Sequence, residues 1–592
     1  MSAIQSKHFL NKPEDLVSDS LEGLCALNPV LTLDRQNKIV HIAKHDRSKV
    51  ALICGGGSGH EPAHAGFVGK GILTAAVCGN VFASPSASQV RRGIDLVQNE
   101  KGTVIIVKNY TGDILNFGLA KEQYAALHPE QADRVKFVIV GDDVAVGRTQ
   151  GYIVGRRGLA GTVLVYKIAG ALAQRGASLD EVHDIAQWAS SRVATIGVGL
   201  EHCHVPGTAP SVTHLSVSEI EIGMGIHNES GNKRVSPVPL LSELIPQLLE
   251  LLTSTEDPER SFVDFKGKGK DKVVLLMNNL GGVSELELAG VLSETKKQLG
   301  ARGISIERIL SGSFMTSLNM PGFSITLLLL PSESSEPSFD LVLSLLDDTT
   351  EAPGWKWSSG RPIKPLQLTA VAVAASKSVK GASITASNPE LFIQSIKKAC
   401  EALIKEEPEI TRMDSVAGDG DCGLTLKAGA QGVLNKIGDG SISGKDVIGS
   451  VIAVSQVAEE AMGGTSGALY SIFFSALAQG LSSSASSNSA TTTHQVWSEA
   501  LKSALAKLYT YTRARPPSRT LVDPLAAFAE AFSPDSSAQA VRAAATAAQK
   551  TQDLEAKAGR SAYVEGDRLK EQKVPDPGAW GVKTILENLN IA

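Results

Sequence analysis

Up to residue 340, short apolar runs alternate with amphipathic stretches along this chain. Val50-Ala51-Leu52-Ile53, Thr103-Val104-Ile105-Ile106-Val107, Val135-Lys136-Phe137-Val138-Ile139-Val140 and Val273-Val274-Leu275-Leu276-Met277 read as buried strands, several closely followed by Gly, Asn or Asp. Helical segments such as Leu159 to Arg175 come after them, so the pattern predicts α/β units with parallel sheets. In such sheets ligands sit at the carboxyl ends of the strands. From 341 to 388 the periodicity mostly lapses and Ser, Pro and Gly accumulate, as in Pro353-Gly354-Trp355 and Ser358-Ser359-Gly360-Arg361-Pro362; this stretch predicts an interdomain linker. Residues 389–592 then carry Ala/Leu-rich helical patterns (Leu391 to Lys405, Gly444 to Ala461, Gln495 to Tyr511) and almost no strand-like runs, which predicts a second domain that is mostly helical. Within it, the Ser/Thr-rich patch from Ser482 to Thr493 predicts a mobile loop. No internal repeat is visible.

Length supports this division, because 592 residues exceed what one core holds. Aromatic residues make up only 5% of the chain, which argues against a base-stacking nucleic-acid binder. The 56 glycines suit an α/β protein whose turns approach ligands closely. A formal charge of −5 gives no long-range attraction for nucleic acid or anionic membrane. The six cysteines are scattered without a CxxC pair, so they read as reduced thiols rather than disulfides or a zinc site. Met1 to Asp15 holds no hydrophobic signal core, and no apolar run reaches the ~18 residues that a membrane span needs. These features predict a soluble, cytoplasmic protein without nucleic-acid or membrane partners.

Three stretches of the first region carry candidate chemistry. Cys54-Gly55-Gly56-Gly57-Ser58-Gly59-His60-Glu61-Pro62 directly follows an apolar strand, and its glycines let backbone N–H groups approach a ligand. It lacks the Lys-Ser/Thr ending of a P-loop. It also lacks the carboxylate expected ~20 residues on in a dinucleotide fold. What remains is a tight strand-to-helix turn or a loop cradling a small polyol, with His60 aimed into the pocket. Lys108-Asn109-Tyr110-Thr111-Gly112-Asp113 also follows a strand. It is either a solvated turn with a capping Asp or a site where Asp113 acts as general base while Lys108 binds oxygen. In Gly223-Met224-Gly225-Ile226-His227-Asn228-Glu229, His227 is either an ordinary partly buried histidine or a nucleophile able to add to a carbonyl and give a hemiaminal.

The helical region carries Asp414-Ser415-Val416-Ala417-Gly418-Asp419-Gly420-Asp421-Cys422-Gly423. Its glycines argue against a solvated helix face, and clustered carboxylates repel one another unless a cation compensates. Hard oxygen ligands together with substrate phosphates fit Mg²⁺. An EF-hand is excluded, because Thr425 stands where the bidentate Glu of the twelfth loop position belongs. Downstream, Met462-Gly463-Gly464-Thr465-Ser466-Gly467 has the residues that cap a helix and bind phosphate through N–H groups. Arg513, Arg515, Arg519 and Arg560 supply cations, and Asp576-Pro577-Gly578-Ala579 forms a turn. Together these suggest a Mg–nucleotide site without a P-loop.

Seven of these motifs, in order and in two domains, make the sequence resemble the ATP-dependent dihydroxyacetone kinases over nearly its whole length. They are Gly-Gly-Gly-Ser-Gly-His-Glu-Pro, Asn-Tyr-Thr-Gly-Asp, Gly-Met-Gly-Ile-His, Asp-x3-Gly-Asp-Gly-Asp, Gly-Gly-Thr-Ser-Gly, Gly-Arg-Ser-Ala-Tyr and Asp-Pro-Gly-Ala. The resemblance implies a substrate domain of two α/β subdomains and a nucleotide domain that is a closed barrel of antiparallel helices. It implies a hemiaminal between His227 and the ketone carbon, Asp113 as general base with His60 assisting, and triose contacts from Gly56, Gly57, Ser58 and Lys108. Asp414, Asp419 and Asp421 would hold two Mg²⁺ ions. Thr425, Gly463, Gly464, Thr465, Ser466, Arg519, Arg560, Asp576, Pro577 and Gly578 would bind ATP as co-substrate. Members of the family generally act as homodimers. Two positions depart from its pattern: Pro517-Ser518 stands where Gly-Asp often precedes Arg-Thr, and Cys422 stands where bacterial relatives carry His. Some relatives also split FAD to AMP and a cyclic flavin phosphate. Another reading is a catalytically silent dihydroxyacetone sensor, whose signature would be a missing metal carboxylate or nucleotide domain. The form of the enzyme recharged by a phosphocarrier has its domains on separate chains.

Overall fold

A computed structural model of the chain describes residues 6–589 except 210–213, 268, 332–336, 362–382, 486–490, 534–535, 558–568 and 570. It divides into two compact units, Met1–Leu368 and Thr369–Ala592.

The first unit is built on two six-stranded sheets. One holds β1 (Leu31–Asp34), β2 (Ile39–Ile42), β3 (Ala51–Ser58), β4 (Ala75–Val81), β5 (Thr103–Lys108) and β6 (Val135–Val140), in the order β1-β2-β4-β3-β5-β6. Its β4, β3, β5 and β6 run parallel, while β1 and β2 form an antiparallel edge. β3 and β5 are buried along their whole length, as their continuous apolar runs require. Helices Ala87–Leu96, Thr111–Leu127 and Gly161–Gln174 complete the α/β units.

The second sheet holds β7 (Val193–Gly199), β8 (Ile220–Ile222), β9 (Lys233–Val235), β10 (Lys272–Asn279), β11 (Ser305–Gly312) and β12 (Gly322–Leu329), in the order β11-β10-β12-β7-β8-β9. Here the expectation of parallel sheets fails: only β10 and β11 are parallel, and every other pair is antiparallel. Apolarity along a strand reports burial of its faces and is blind to the direction of its neighbours. A short connection joins the antiparallel β8 and β9, whereas β12 pairs antiparallel with β7 and β10, strands that are not its neighbours in sequence.

The expected linker is shorter at both ends. Ser338 caps helix Phe339–Asp347 through its hydroxyl, and Val342 and Leu345 of that helix are buried in the first core. The Gly354 amide donates to the Gly66 carbonyl at 2.7 Å, and Trp355 packs edge-on against Phe314. Ile384, at the far end, is buried in the helical core. The middle of the stretch, 362–382, lies outside the described residues, as does 486–490 of the expected Ser/Thr loop.

Eight α-helices make up the described part of the second unit: Pro389–Ala417, Cys422–Gly438, Val447–Val457, Gly464–Ala485, His494–Leu508, Val522–Ala531, Ser537–Lys550 and Pro577–Asn588. Each packs on the next in sequence, and Pro577–Asn588 packs back on Pro389–Ala417, so the ring closes. It surrounds an apolar cavity of about 650 Å³ lined by residues such as Leu403, Leu426, Phe473 and Phe528. No helix among the described residues is long and apolar enough to cross a membrane.

Candidate active site

The glycine run is not a loop. Cys54 to Ser58 continue β3, with Cys54 paired to Ala76, Gly55 to Val77 and Gly56 to Cys78, and the chain turns only at Gly59. Gly56 has φ +148°, and a Cβ there would meet the Asp113 carboxylate at 3.1 Å. The glycine thus lets a carboxylate from the next strand–helix unit close over the sheet. Asp113 lies in the first turn of helix Thr111–Leu127, where the helix dipole favours an anion. It is 3% exposed and accepts a hydrogen bond from Ser84. Burial pushes its pKa up, against the opposing pull of Lys108, Ser84 and His227. Ser58 is engaged with β4, its hydroxyl donating to the Gly79 carbonyl at 2.8 Å, and Gly57 lies against Phe82 and Ala83.

Lys108, at the end of β5, is fully buried, and its ammonium has no hydrogen-bond partner among the described residues. Burial pulls its pKa down, and the charges of Asp113 and Glu229 counter that. The Tyr110 hydroxyl is likewise buried and unpaired. A buried ammonium without a hydrogen bond is costly, and two free donors beside Asp113 and His227 suit an oxygen-rich ligand.

His227 follows β8 and comes from the second sheet to meet this cluster. Its Nε2 lies 3.0 Å from Nε2 of His60. The Glu229 carboxylate accepts from its backbone N–H and from Nδ1, both at 2.9 Å. The edge of Phe82 at 5.0 Å and Tyr110 at 4.7 Å wall the imidazole between ring centroids. His60 stacks on Phe82, and its Nδ1 donates to the Thr316 carbonyl at 2.8 Å. His60, Lys108, Asp113 and His227 are therefore one cluster at the carboxyl ends of strands. Glu229, Tyr110, Phe82, Ser84 and Thr316 belong to it and went unread. Glu229 and Tyr110 stood inside quoted motifs, whereas Thr316 lies 256 positions from His60 and had no local signal.

In the second unit Asp414, Asp419 and Asp421 offer carboxylate oxygens within 4.8 Å of one another. Asp414 is buried near the end of its helix and accepts from the Cys422 amide at 3.0 Å, while the other two are exposed. A Cβ at Gly418 would lie 2.3 Å from the Asp414 carboxylate, so a glycine there keeps the cluster compact. The donor set is all hard oxygen and fits Mg²⁺. Thr425 sits one turn into the following helix, its amide donating to the Asp421 carbonyl at 2.9 Å. Met462, just before the second glycine loop, packs against Gly429 of that same helix. Gly463 and Gly464 adopt φ +62° and +56°, and Thr465 and Ser466 open helix Gly464–Ala485.

Asp576 caps helix Pro577–Asn588 by accepting from the Ala579 amide at 2.8 Å, with Pro577 and Gly578 in the first turn. Burial raises its pKa to about 6; Asp414 adds to this and Arg519 opposes it. Arg519 is fully buried, with one Nη donating to the Val574 carbonyl at 2.8 Å and with Nε and the other Nη unpaired among the described residues. Asp523, also missed, accepts from the amides of Ser518 and Thr520 and so shapes the departing Pro517-Ser518 segment. Arg560 lies outside the described residues.

Comparison with known proteins agrees with this two-part construction. Residues 22–354 match the Dak1 domain and residues 416–590 the DAK2 domain. The chain is 42% identical to the dihydroxyacetone kinase of Pichia angusta, covering 99% of this chain and 98% of that one. It is 37% identical to the triokinase/FMN cyclase of Homo sapiens, covering 98% of each. The crystal structure of the dihydroxyacetone kinase from C. freundii in complex with AMP-PNP and Mg²⁺ superposes with a TM-score of 0.60 at 30% identity, covering 99% of both chains. With both domains on one polypeptide, the chain belongs to the dihydroxyacetone kinase family.

Proposed function

We propose that this protein phosphorylates dihydroxyacetone, and glyceraldehyde with it, from ATP, holding the ketose as a hemiaminal on His227. The observation that carries the reading is the convergence of His227, His60, Asp113 and the Lys108 ammonium, which has no hydrogen bond among the described residues, in one cluster.

The Glu229 carboxylate only accepts, so Nδ1 of His227 carries a proton and Nε2 is the atom that bonds to the carbonyl carbon. A three-carbon substrate offers too few atoms for tight noncovalent binding, and the covalent tether supplies the orientation that contacts cannot. Glycerol, with no carbonyl, is excluded. Asp113 takes the proton of the terminal hydroxyl as it attacks phosphorus, its raised pKa making it a stronger base than an ordinary carboxylate. Lys108 donates to substrate oxygen, with triose contacts from Gly56, Gly57 and Ser58.

In the helical unit Asp414, Asp419 and Asp421 would hold two Mg²⁺ ions, which supply charge neutralisation to the phosphates of ATP. Thr425, Gly463, Gly464, Thr465 and Ser466 would bind phosphate, and Arg519, Arg560, Asp576, Pro577 and Gly578 the rest of the nucleotide. Family membership also supports a homodimer, which sedimentation would check, and six free cysteines fit a cytoplasmic setting.

The test is ADP release from Mg-ATP with dihydroxyacetone, comparing the native chain with His227→Ala and using glycerol as control. Ketose-dependent turnover that is weakened in the variant and absent with glycerol supports the reading; no native turnover sinks it. The name of the human relative favours a second activity in the helical unit, cleavage of FAD to AMP and cyclic flavin phosphate. Incubation with FAD and Mn²⁺ tests that directly.

A further inference from the structure

Between β6 and helix Gly161–Gln174 the chain throws out a loop, Gly147 to Gly158, that the chemistry above does not use. Its tip is Tyr152-Ile153-Val154, exposed at 88%, 90% and 62%. Single exposed apolar side chains are ordinary, but three consecutive large ones at the apex of a loop mark a surface that is covered in some state of the protein.

Below the tip the loop is fastened on both sides. Arg148 in the outgoing stem and Arg156 in the returning stem both lay their guanidinium groups on the Phe262 ring, at 4.5 and 4.1 Å from its centroid. The outgoing stem is also tied through Arg148 to the Ser261 carbonyl at 2.9 Å, and through the Thr149 amide to the Glu259 carboxylate at 2.8 Å. In the returning stem Arg157 donates to Asp143 and to the Gly223 carbonyl, both at 2.6 Å. Gly151 and Gly155 bracket the three apolar residues, and Gly155 holds φ +74°. Glycine at both ends lets the tip swing while the stems stay fixed.

A tether decides what the tip covers. Asn109 stands between Lys108 and Tyr110, and its Nδ2 donates to the carbonyls of Val154 at 2.9 Å and Arg156 at 2.6 Å. The returning side of the tip is thereby held beside the wall of the ketose cluster. That wall presents apolar surface of its own, because the rings of Tyr110 and Phe82, which flank His227, are only half-buried.

We propose that Tyr152, Ile153 and Val154 are a lid that closes on the Tyr110 and Phe82 rings once the ketose is attached to His227, leaving the hydroxyl beside Asp113 open to the phosphoryl donor. The inference rests on the proposed attachment. Hemiaminal formation is reversible, and a three-carbon adduct with few contacts is released readily while water reaches it. An apolar lid removes that water, strengthens the polar contacts beneath it and buries the tip. The arrangement described here, with the tip in solvent, is the one that admits the ketose.

The test uses the full chain. Tyr152→Trp places a reporter on the tip, read as a difference against the native chain with its five tryptophans. Adding dihydroxyacetone without ATP should shift the extra emission to the blue, and glycerol should not. With [2-¹³C]dihydroxyacetone, conversion of the carbonyl signal to a tetrahedral one reads attachment separately. Ile153→Ser should raise KM for dihydroxyacetone about 10- to 100-fold, the range for returning one large apolar side chain to water, while kcat holds. Gly155→Ala, whose Cβ would lie 2.5 Å from Nδ2 of Asn109, should loosen the tether and move KM in the same direction. Attachment without a blue shift, or an unchanged KM in Ile153→Ser, would overturn the lid. A shift that follows protein concentration rather than ketose assigns the tip to a second copy and overturns it as well. Absence of the tetrahedral carbon in the native chain overturns the attachment itself, and the lid with it.

Discussion

Around His227 the charged groups are enclosed by one another, whereas Asp419 and Asp421 stand exposed at a helix junction. In the first cluster Asp113 and Lys108 temper each other's charge while buried, and Glu229 is tied to the ring it serves. In the second, three carboxylates gather within 4.8 Å with only Asp414 buried. The first cluster balances its own charge; the second would be balanced by cations. On the proposed function, the difference follows the ligands. A neutral three-carbon ketose brings no charge and few contacts, so the protein must supply the chemistry ready-made. A nucleotide brings phosphates that share its metal, so the protein need hold only part of the shell.

The contrast breaks most visibly on removing divalent metal. A chelator should abolish ADP formation while leaving the tetrahedral carbon of bound dihydroxyacetone intact; loss of that signal would mean the two sites are not separable. Returning Mg²⁺ at a hundredfold excess over its Kd should raise the melting temperature of the helical unit by roughly 5–10 °C, read by calorimetry. Next in size, Asp113→Asn should lower kcat about 10²–10⁴-fold while the adduct still forms, since the base acts on the hydroxyl and not on the carbonyl.

Lys108→Met sharpens the comparison further. Loss of a charged hydrogen bond should weaken triose binding by about 1.5–3 kcal/mol, near 10- to 100-fold in KM. Thermal stability should fall as well, because Asp113 is left buried without its countercharge. The smallest effect concerns pH. Burial raises the Asp113 pKa, so turnover should fall as pH drops through a value above the ordinary carboxylate range. Ser84→Ala deletes a hydrogen bond that favours the ionised form, so the acid limb of kcat should move to higher pH.

Much of this could be read from the sequence, with characteristic failures. Strands Thr103–Lys108 and Val135–Val140 were plain because burial writes itself as apolar runs. The direction of β7 and β12 was not, because pairing partners lie far apart in sequence. Gly55 to Gly57 looked like a loop because glycine is rare in strands, yet close approach from Asp113 and Phe82 is what demands it there. Helix Phe339–Asp347 was lost among flanking Ser and Pro, though Leu341 to Leu346 has helical spacing. The chemical residues were legible where they sat in motifs; Thr316 and Ser84 act through folded contacts that no local pattern records.

Closure of the helical ring has a consequence for synthesis. Because Pro577–Asn588 packs on Pro389–Ala417, the seam stays open until residues 577–588 have been made. Until then the apolar lining of the cavity faces solvent, and Asp576 is not yet held near Asp414. A nascent chain can therefore fold its first unit early while the helical ring is still open. Translation itself withholds closure of the ring until its eighth helix has been made.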